Sequence, residues 1–492
     1  MGQRYYKSDK NMMVKRSISP YFCRMGRKIK PQTLTGLTVV DVNNKGMGIA
    51  KHEGRVLFIA GVVPGDVIKA TIYQKKRGYF MARLEAIERP SADRVPPVCD
   101  HFGICGGCKW QQLSYSAQLQ FKEKEVAHNL AHIGKVSPVE THPILAAPEI
   151  YFYRNKMEFS FSNQRWLTTE EIGDKSLNIQ RNGLGFHKPG MWDKVVDIQK
   201  CHLQADPSND IRNFIRNHAL NHQLTFFNPR AQEGFLRSLM IRTATTGDIM
   251  VLIQFFHEDK QNRVLLLNAI QEKFPQITAL LYCINSKAND SIYDQEILAF
   301  SEQEFITEKM GKLQFKIGPK SFYQTNSRQA ENLYALVKKI AQLQPEEIVY
   351  DLYTGTGTIA QYVADQCKKV IGIESVPEAI ESAKENAVIN HISNAFFEVG
   401  DMKDCFNSSF IERHGRAQVV ITDPPRSGMH PKVVEQLLAL APERIVYVSC
   451  NSATQARDLA LLKDTYTVEI SQAVDLFPQT HHVENVVLLR HL

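Results

Sequence analysis

The sequence lacks any long hydrophobic run. A membrane-crossing helix takes about 20 consecutive, mostly apolar residues. The apolar stretch Ile249-Met250-Val251-Leu252-Ile253-Gln254-Phe255-Phe256 stops far short of that. No apolar core with a cleavage site opens the chain, so no secretory leader is expected. Position 6 is Tyr6, where an N-myristoylation signal takes Ser or Thr. A disordered composition is also absent, because 43% hydrophobic and 23% charged residues are the proportions of a globular protein. These absences point to the cytoplasm, where thiols stay reduced. The nine cysteines then serve metal binding, catalysis or packing rather than disulfides.

What is present is a chain of 492 residues, enough for about three domains. Lysine and arginine total 59 against 52 aspartates and glutamates, a net charge of +7. That balance suits a polyanionic partner and equally suits an ordinary basic protein. Residues 1–30 form a basic tail in which Arg4, Lys7, Lys10, Lys15, Arg16, Arg24, Arg27, Lys28 and Lys30 face only Asp9. It reads either as an RNA-contacting arm or as a disordered leader. Residues 31–90 alternate like short strands at 37–42, 55–59, 66–72 and 81–87, with turns at Asn43-Asn44-Lys45-Gly46, Pro64-Gly65 and Arg77-Gly78. This spacing predicts a small OB-like β-barrel. Its lysines and arginines stand beside Tyr73, Tyr79 and Phe80, a mixture suited to phosphates and stacked bases of single-stranded RNA. Residues 91–310 read as a mixed α+β central domain, with a helix at 115–132 and a hairpin around Thr246-Gly247. From residue 311, and clearly from 347, strands and helices alternate, which predicts a Rossmann-like α/β domain over 311–492.

Cys99, Cys105 and Cys108 form C-x5-C-x2-C, with Gly106-Gly107 inside the last step. Cys201 is a candidate fourth ligand. Four thiolates suit a [4Fe–4S] cluster or tetrahedral zinc. No second C-x2-C completes a zinc ribbon, which favours iron–sulfur, and His101 and His202 stay in play as ligands. Cys23, Cys283, Cys367 and Cys405 show no partner pattern and read as tail or packing thiols.

Val349-Tyr350-Asp351-Leu352-Tyr353-Thr354-Gly355-Thr356-Gly357-Thr358 is a strand running into a glycine turn. A helix and the strand Val370-Ile371-Gly372-Ile373-Glu374 follow. Strand, glycine turn, helix, strand and terminal acid make a nucleotide-binding unit. Gly355, Gly357 and Ala360 also fit the dinucleotide pattern, so NAD competes at this point. A later strand ends in Asp423-Pro424-Pro425-Arg426, which puts a carboxylate on the ligand crevice. The next ends at Cys450. That thiol precedes a helix start whose dipole predicts a lowered pKa, as a nucleophile needs. His481-His482-Val483-Glu484 precedes the last strand, and Glu484 reads as a base or as a solvated loop residue.

Together these residues resemble the class I S-adenosylmethionine-dependent RNA (uracil-5-)-methyltransferases, in particular the 23S ribosomal RNA branch. The likeness runs from about residue 31 to the end. It implies that the barrel is a TRAM domain and that Cys99, Cys105, Cys108 and Cys201 hold a [4Fe–4S] cluster. It places Gln324, in Phe322-Tyr323-Gln324-Thr325-Asn326, at the cofactor, with Tyr353, Glu374 and Asp423. Cys450 matches the nucleophile and Glu484 the proton-abstracting base. Asp401 is a further candidate for the adenine side. The expected partner is RNA, 23S ribosomal RNA first and transfer RNA second; no membrane and no obligate protein partner is expected. Three rivals are an amino-directed base methyltransferase, which has no use for Cys450, a nicotinamide-dependent oxidoreductase, and a non-catalytic RNA-binding scaffold.

Overall fold

Alternation of apolar and polar residues rolls the first described strands into a closed barrel. The computed structural model describes residues 30–43, 45–174 and 179–492, so the basic tail lies outside the described residues except for Lys30. Strands Gln32–Val42, Gly48–His52, Arg55–Ile59, Val67–Lys75 and Tyr79–Arg89 close the barrel. Leu37, Val39, Ala50, Leu57, Ile59, Ile68 and Ile72 fill it. Asp66 closes one end. Its buried carboxylate accepts bonds from the amides of Val63 and Ser91 and pairs with Arg94 at 2.6 Å. Burial alone would raise its pKa, but Arg94 and the two amides hold it below the usual carboxylate range.

The central unit is a seven-stranded sheet in the order Leu298–Ala299, Ala279–Ile284, Ile249–Phe255, Leu236–Thr243, Lys156–Ser162, Gly183–His187 and Val195–Asp197. Its period-2 faces go to different cores. Leu239, Ile241, Val251 and Ile253 pack with helices Ser208–Asn221 and Lys260–Lys273. Met240, Met250 and Leu252 join the core of the C-terminal unit. The sheet is therefore sandwiched, and the two units share one interior.

The C-terminal sheet has eight strands. Ala395–Val399, Lys369–Glu374, Ile348–Leu352, Val419–Thr422 and Arg444–Ser449 are parallel. The antiparallel pair Glu484–His491 and Tyr466–Val474 follows, and Glu140–Leu145 lies parallel at the edge. Helices Ser327–Ala341, Thr358–Val363 and Pro377–Ile389 cover one face; Pro431–Leu440 and Ser452–Leu462 cover the other. The domain expected at 91–310 is divided differently here. Helix Tyr115–Asn129 and strand Glu140–Leu145 belong to the C-terminal layers, with Val126 and Leu130 in the core. The helix carries no apolar stripe that could announce this, because its buried positions include Gln118 and Lys122.

Candidate active site

Parallel strands present their carboxyl ends on one edge, where loops can reach a ligand. Strand Ile348–Leu352 leads into the turn at Tyr353, whose φ is +64°. So bulky a residue is uncommon in the left-handed region and marks a constrained backbone. Gly357 has φ +74°, and a Cβ there would meet Phe397 Cε1 at 2.7 Å and Ala383 Cβ at 2.9 Å. Only glycine lets the helix start so close to its neighbours. The turn is braced by Asp351, whose Oδ2 accepts bonds from Thr354 Oγ1 (2.5 Å) and the Ala360 amide (3.1 Å). Glu374 ends the adjacent strand, and its Oε2 accepts from the Gly355 amide at 3.3 Å. Gln324 reaches the same place, since the Phe322 carbonyl accepts from Thr356 Oγ1 and the Gln324 side chain meets the Tyr334 hydroxyl. Tyr334 in turn meets Thr358 Oγ1 at 3.4 Å. Gln324, Tyr353 and Glu374 thus surround one turn. Asp401 is an exposed helix cap beside this region, paired with Lys403.

On the next two strands, Asp423 follows Val419–Thr422 and Cys450 follows Arg444–Ser449. Ser449 pairs with Asn485 and Val474 with Glu484, so Glu484 begins its strand beside the end carrying Cys450. Glu484 is 4% exposed, not a solvated loop residue. Burial, then the Asp423 carboxyl, push Glu484 up to about 8, with Arg426 opposing them. Burial, then Asp351, push Asp423 up to about 7. The Cys450 thiol is pushed up to about 11 by burial, then by Glu484 and Asp423. This corrects the expectation of a lowered thiol pKa. The helix start is already capped by Asn451, whose side chain takes the Ala453 amide at 3.2 Å. Burial first, and then two acids from other parts of the chain, push the thiol the other way.

Arg426 opposes those acids by charge and by a hydrogen bond to Cys450. Its carbonyl is pinned by Asn451 Nδ2 (3.0 Å) and Thr454 Oγ1 (3.2 Å). Sequence reasoning assigned Arg426 no role, although it closes the quoted Asp-Pro-Pro-Arg run. Asp351 was missed too, and an acid inside an apolar central strand was the available signal.

Cys99, Cys105, Cys108 and Cys201 all line one cavity of about 620 Å³. Neither Cys450 nor Glu484 lines it, but Arg426 and His482 do, so it adjoins the crevice. The loop around the first three cysteines is closely fitted, and a Cβ on Gly106 would meet Pro189 Cγ at 2.1 Å. His101 Nε2 is occupied by the Gln199 amide at 3.0 Å. Among the described residues, no three His, Cys, Asp or Glu side chains converge to hold a single metal ion. Cys283 and Cys367 are buried and Cys405 is half-buried, while Cys23 lies outside the described residues.

The sequence profile described as tRNA (Uracil-5-)-methyltransferase matches residues 284–492. An uncharacterized RNA methyltransferase of Porphyromonas gingivalis is 52% identical over 461 residues, 92% of this chain and 99% of its own. The chain belongs to a family of RNA methyltransferases. A counterpart from Bacteroides thetaiotaomicron, also an uncharacterized RNA methyltransferase, is 53% identical over 90% of this chain and 99% of its own. Among solved structures, the Pyrococcus abyssi tRNA (uracil-54, C5)-methyltransferase with S-adenosyl-L-homocysteine superposes with a TM-score of 0.71. It is 28% identical and covers 93% of this chain and 100% of its own. This RNA methyltransferase is therefore an enzyme. No described helix is long and apolar enough to cross a membrane.

Proposed function

We propose that this enzyme methylates carbon 5 of a uridine through a transient bond between Cys450 and carbon 6. The observation that carries the reading is the meeting of Cys450, Asp423 and Glu484 at adjoining strand ends, beside the turn braced by Asp351. Carbon 5 of uracil is a weak nucleophile, and a thiolate adding to carbon 6 makes it enolate-like. The Cys450 thiol gives its proton to solvent and the thiolate adds to carbon 6; Arg426 favours the thiolate. Asp423 holds the polar edge of the pyrimidine. S-adenosylmethionine would supply an electrophilic methyl group to carbon 5, the sulfur keeping the bonding pair as S-adenosylhomocysteine leaves. The Glu484 carboxylate then removes the carbon 5 proton, the electrons break the bond from carbon 6 to sulfur, and Cys450 is freed. Gln324, Tyr353 and Glu374 hold the cofactor, and Glu374 suits the ribose hydroxyls. A base in a stack cannot reach both groups, so the target is flipped or single-stranded.

Cys450→Ala should abolish turnover while S-adenosylmethionine still binds, and Glu484→Gln should trap a protein–RNA adduct. Full activity of Cys450→Ala would remove the thiol from the mechanism.

We further propose that the four cysteines hold a [4Fe–4S] cluster, in which each thiolate takes its own iron and the ligands need not converge on one point. Their shared cavity supports this. The barrel is proposed as a TRAM-type RNA contact, with Arg55 and Lys75 over Phe80 at 5.4 and 5.8 Å and Tyr73 exposed. Ribosomal 23S RNA is the first substrate to test. The Pyrococcus abyssi enzyme supports transfer RNA as the second, because its likeness covers 93% of this chain. Mass spectrometry of nucleosides after reaction with each unmodified RNA decides. 5-Methyluridine only in transfer RNA would overturn the ribosomal choice, and any other methylated base would overturn the thiolate mechanism.

A further inference from the structure

Segment 475–483 joins strand Tyr466–Val474 to Glu484, and groups from four places hold it. Asn326 Nδ2 donates to the Leu476 carbonyl at 2.9 Å. Lys122 Nζ donates to the Phe477 carbonyl at 3.2 Å, and the Tyr153 hydroxyl to that of Pro478 at 3.0 Å. The amides of Lys109 and Trp110, just past Cys108, donate to the Gln479 carbonyl at 2.9 and 3.1 Å. Gln118 and Gln479 exchange two bonds: the Gln479 amide donates to Gln118 Oε1 at 2.9 Å, and Gln118 Nε2 donates to Gln479 Oε1 at 3.1 Å. Lys122 also pairs with Asp475 at 2.6 Å, both side chains fully buried.

At the centre of this network Gln479 has φ +66° and is 2% exposed. A residue other than glycine stays in that region only where its surroundings over-determine it, and such positions gather at functional sites. The cofactor turn at 353–358 makes none of the bonds just named. The segment runs instead into Glu484.

We propose that Gln118, Lys122 and Gln479 are positioning residues for Glu484. The network governs removal of the carbon 5 proton and release of the RNA, while cofactor binding and adduct formation proceed without it. The proposal rests on Glu484 being the base.

The test compares full-length Gln118→Leu and Gln479→Ala with Glu484→Gln. Cofactor affinity, RNA KM, kcat and the fraction of protein in a denaturant-stable adduct with methylated RNA are measured for each. Misplacing a catalytic group by about 1 Å costs up to about 100-fold, so kcat should fall between about 10- and 100-fold. Affinity for S-adenosylmethionine should change less than about 2-fold, the adduct should accumulate, and RNA KM should fall along with kcat, because slowing a step after adduct formation leaves kcat/KM nearly unchanged. Unchanged kcat, or kcat and adduct falling together, would overturn the proposal. If Glu484→Gln traps adduct and the glutamine variants do not, only the positioning role fails. If Glu484→Gln traps none, the base assignment fails and the proposal with it. Should Gln118→Leu not fold, Gln479→Ala decides alone, since it keeps the backbone bonds from Lys109 and Trp110.

Discussion

Alkylation of Cys450 measures the least expected property of the crevice. With the thiol pushed up to about 11, the thiolate fraction at pH 8 is about one in a thousand. Forming it there costs about 4 kcal/mol, which substrate contacts and Arg426 must offset. The perturbation is iodoacetamide at a series of pH values, and the assay is mass spectrometry of the Cys450 peptide, which separates it from the other thiols. Labelling should rise about tenfold per pH unit from 7 to 10 and level only near 11, since the thiolate is the reactive form. The variants carry definite signs. Glu484→Gln and Asp423→Asn each remove a neighbouring negative charge and should move the midpoint down. Arg426→Met removes a cation and should move it up. A plateau below about pH 8 in the unaltered protein would refute the reasoning, because it would mean that the helix start prevails over burial and the two acids.

Three further outcomes follow from the same geometry. Glu484 ionises near its ordinary 4.5 when unfolded and near 8 when folded, so between those values the unfolded state holds fewer protons and stability falls as pH rises. Thermal unfolding should then show Glu484→Gln matching the parent at pH 4.5 and exceeding it by a few kcal/mol at pH 8; an equal gap at both would contradict this. Lys122→Met leaves Asp475 buried without its cation and should cost about 3–5 kcal/mol, whereas Lys122→Met with Asp475→Leu should recover most of it in denaturant titrations. A single variant as stable as the parent would show that the pair is not buried in solution. Gly106→Ala puts a methyl group 2.1 Å from Pro189 Cγ and should displace the cysteine loop, so that iron content and visible absorbance fall together if the four cysteines hold the proposed cluster; iron undiminished in the variant, or absent from the parent, would overturn that proposal.

Much of the crevice was legible because its signals are local. Glycine spacing, a strand-terminal acid at Glu374, and Asp423 and Cys450 at strand ends all follow from consecutive residues. The barrel likewise follows from alternation over one short stretch. What was hidden is what distant segments bring together. The thiol was misjudged because the packing that buries it, and the Glu484 that approaches from the last strand, come from distant segments, and a reading of the residues next to Cys450 contains only the helix start. Glu484 stayed ambiguous because its burial depends on pairing between Ser449 and Asn485. Lys122 and Asp475 lie 353 positions apart, and Gln118 and Gln479 lie 361 apart. Polar residues on a helix read as a solvated face until the partner that buries them is seen. The same limit concealed the transfer of helix Tyr115–Asn129 to the C-terminal layers.

The electrostatics also argue for an order of events. Asp351 and Asp423 are each pushed up to about 7, Glu484 to about 8 and Cys450 to about 11, all chiefly by burial and then by one another for the last three. Groups coupled in this way titrate as a set, so one added positive charge favours ionisation throughout. S-adenosylmethionine carries a sulfonium cation, and S-adenosylhomocysteine has the same frame without that charge. Both obstruct reagent access alike, so their difference isolates the charge. Cys450 should therefore alkylate faster at pH 8 with S-adenosylmethionine bound than with S-adenosylhomocysteine, by about 10-fold if the thiol pKa drops by one. Equal rates would mean that the cofactor's charge does not reach the thiol, and activation would then have to come from the RNA. A faster rate with the cation makes cofactor binding the step that arms the nucleophile, so that Cys450 stays inert until a methyl donor is in place.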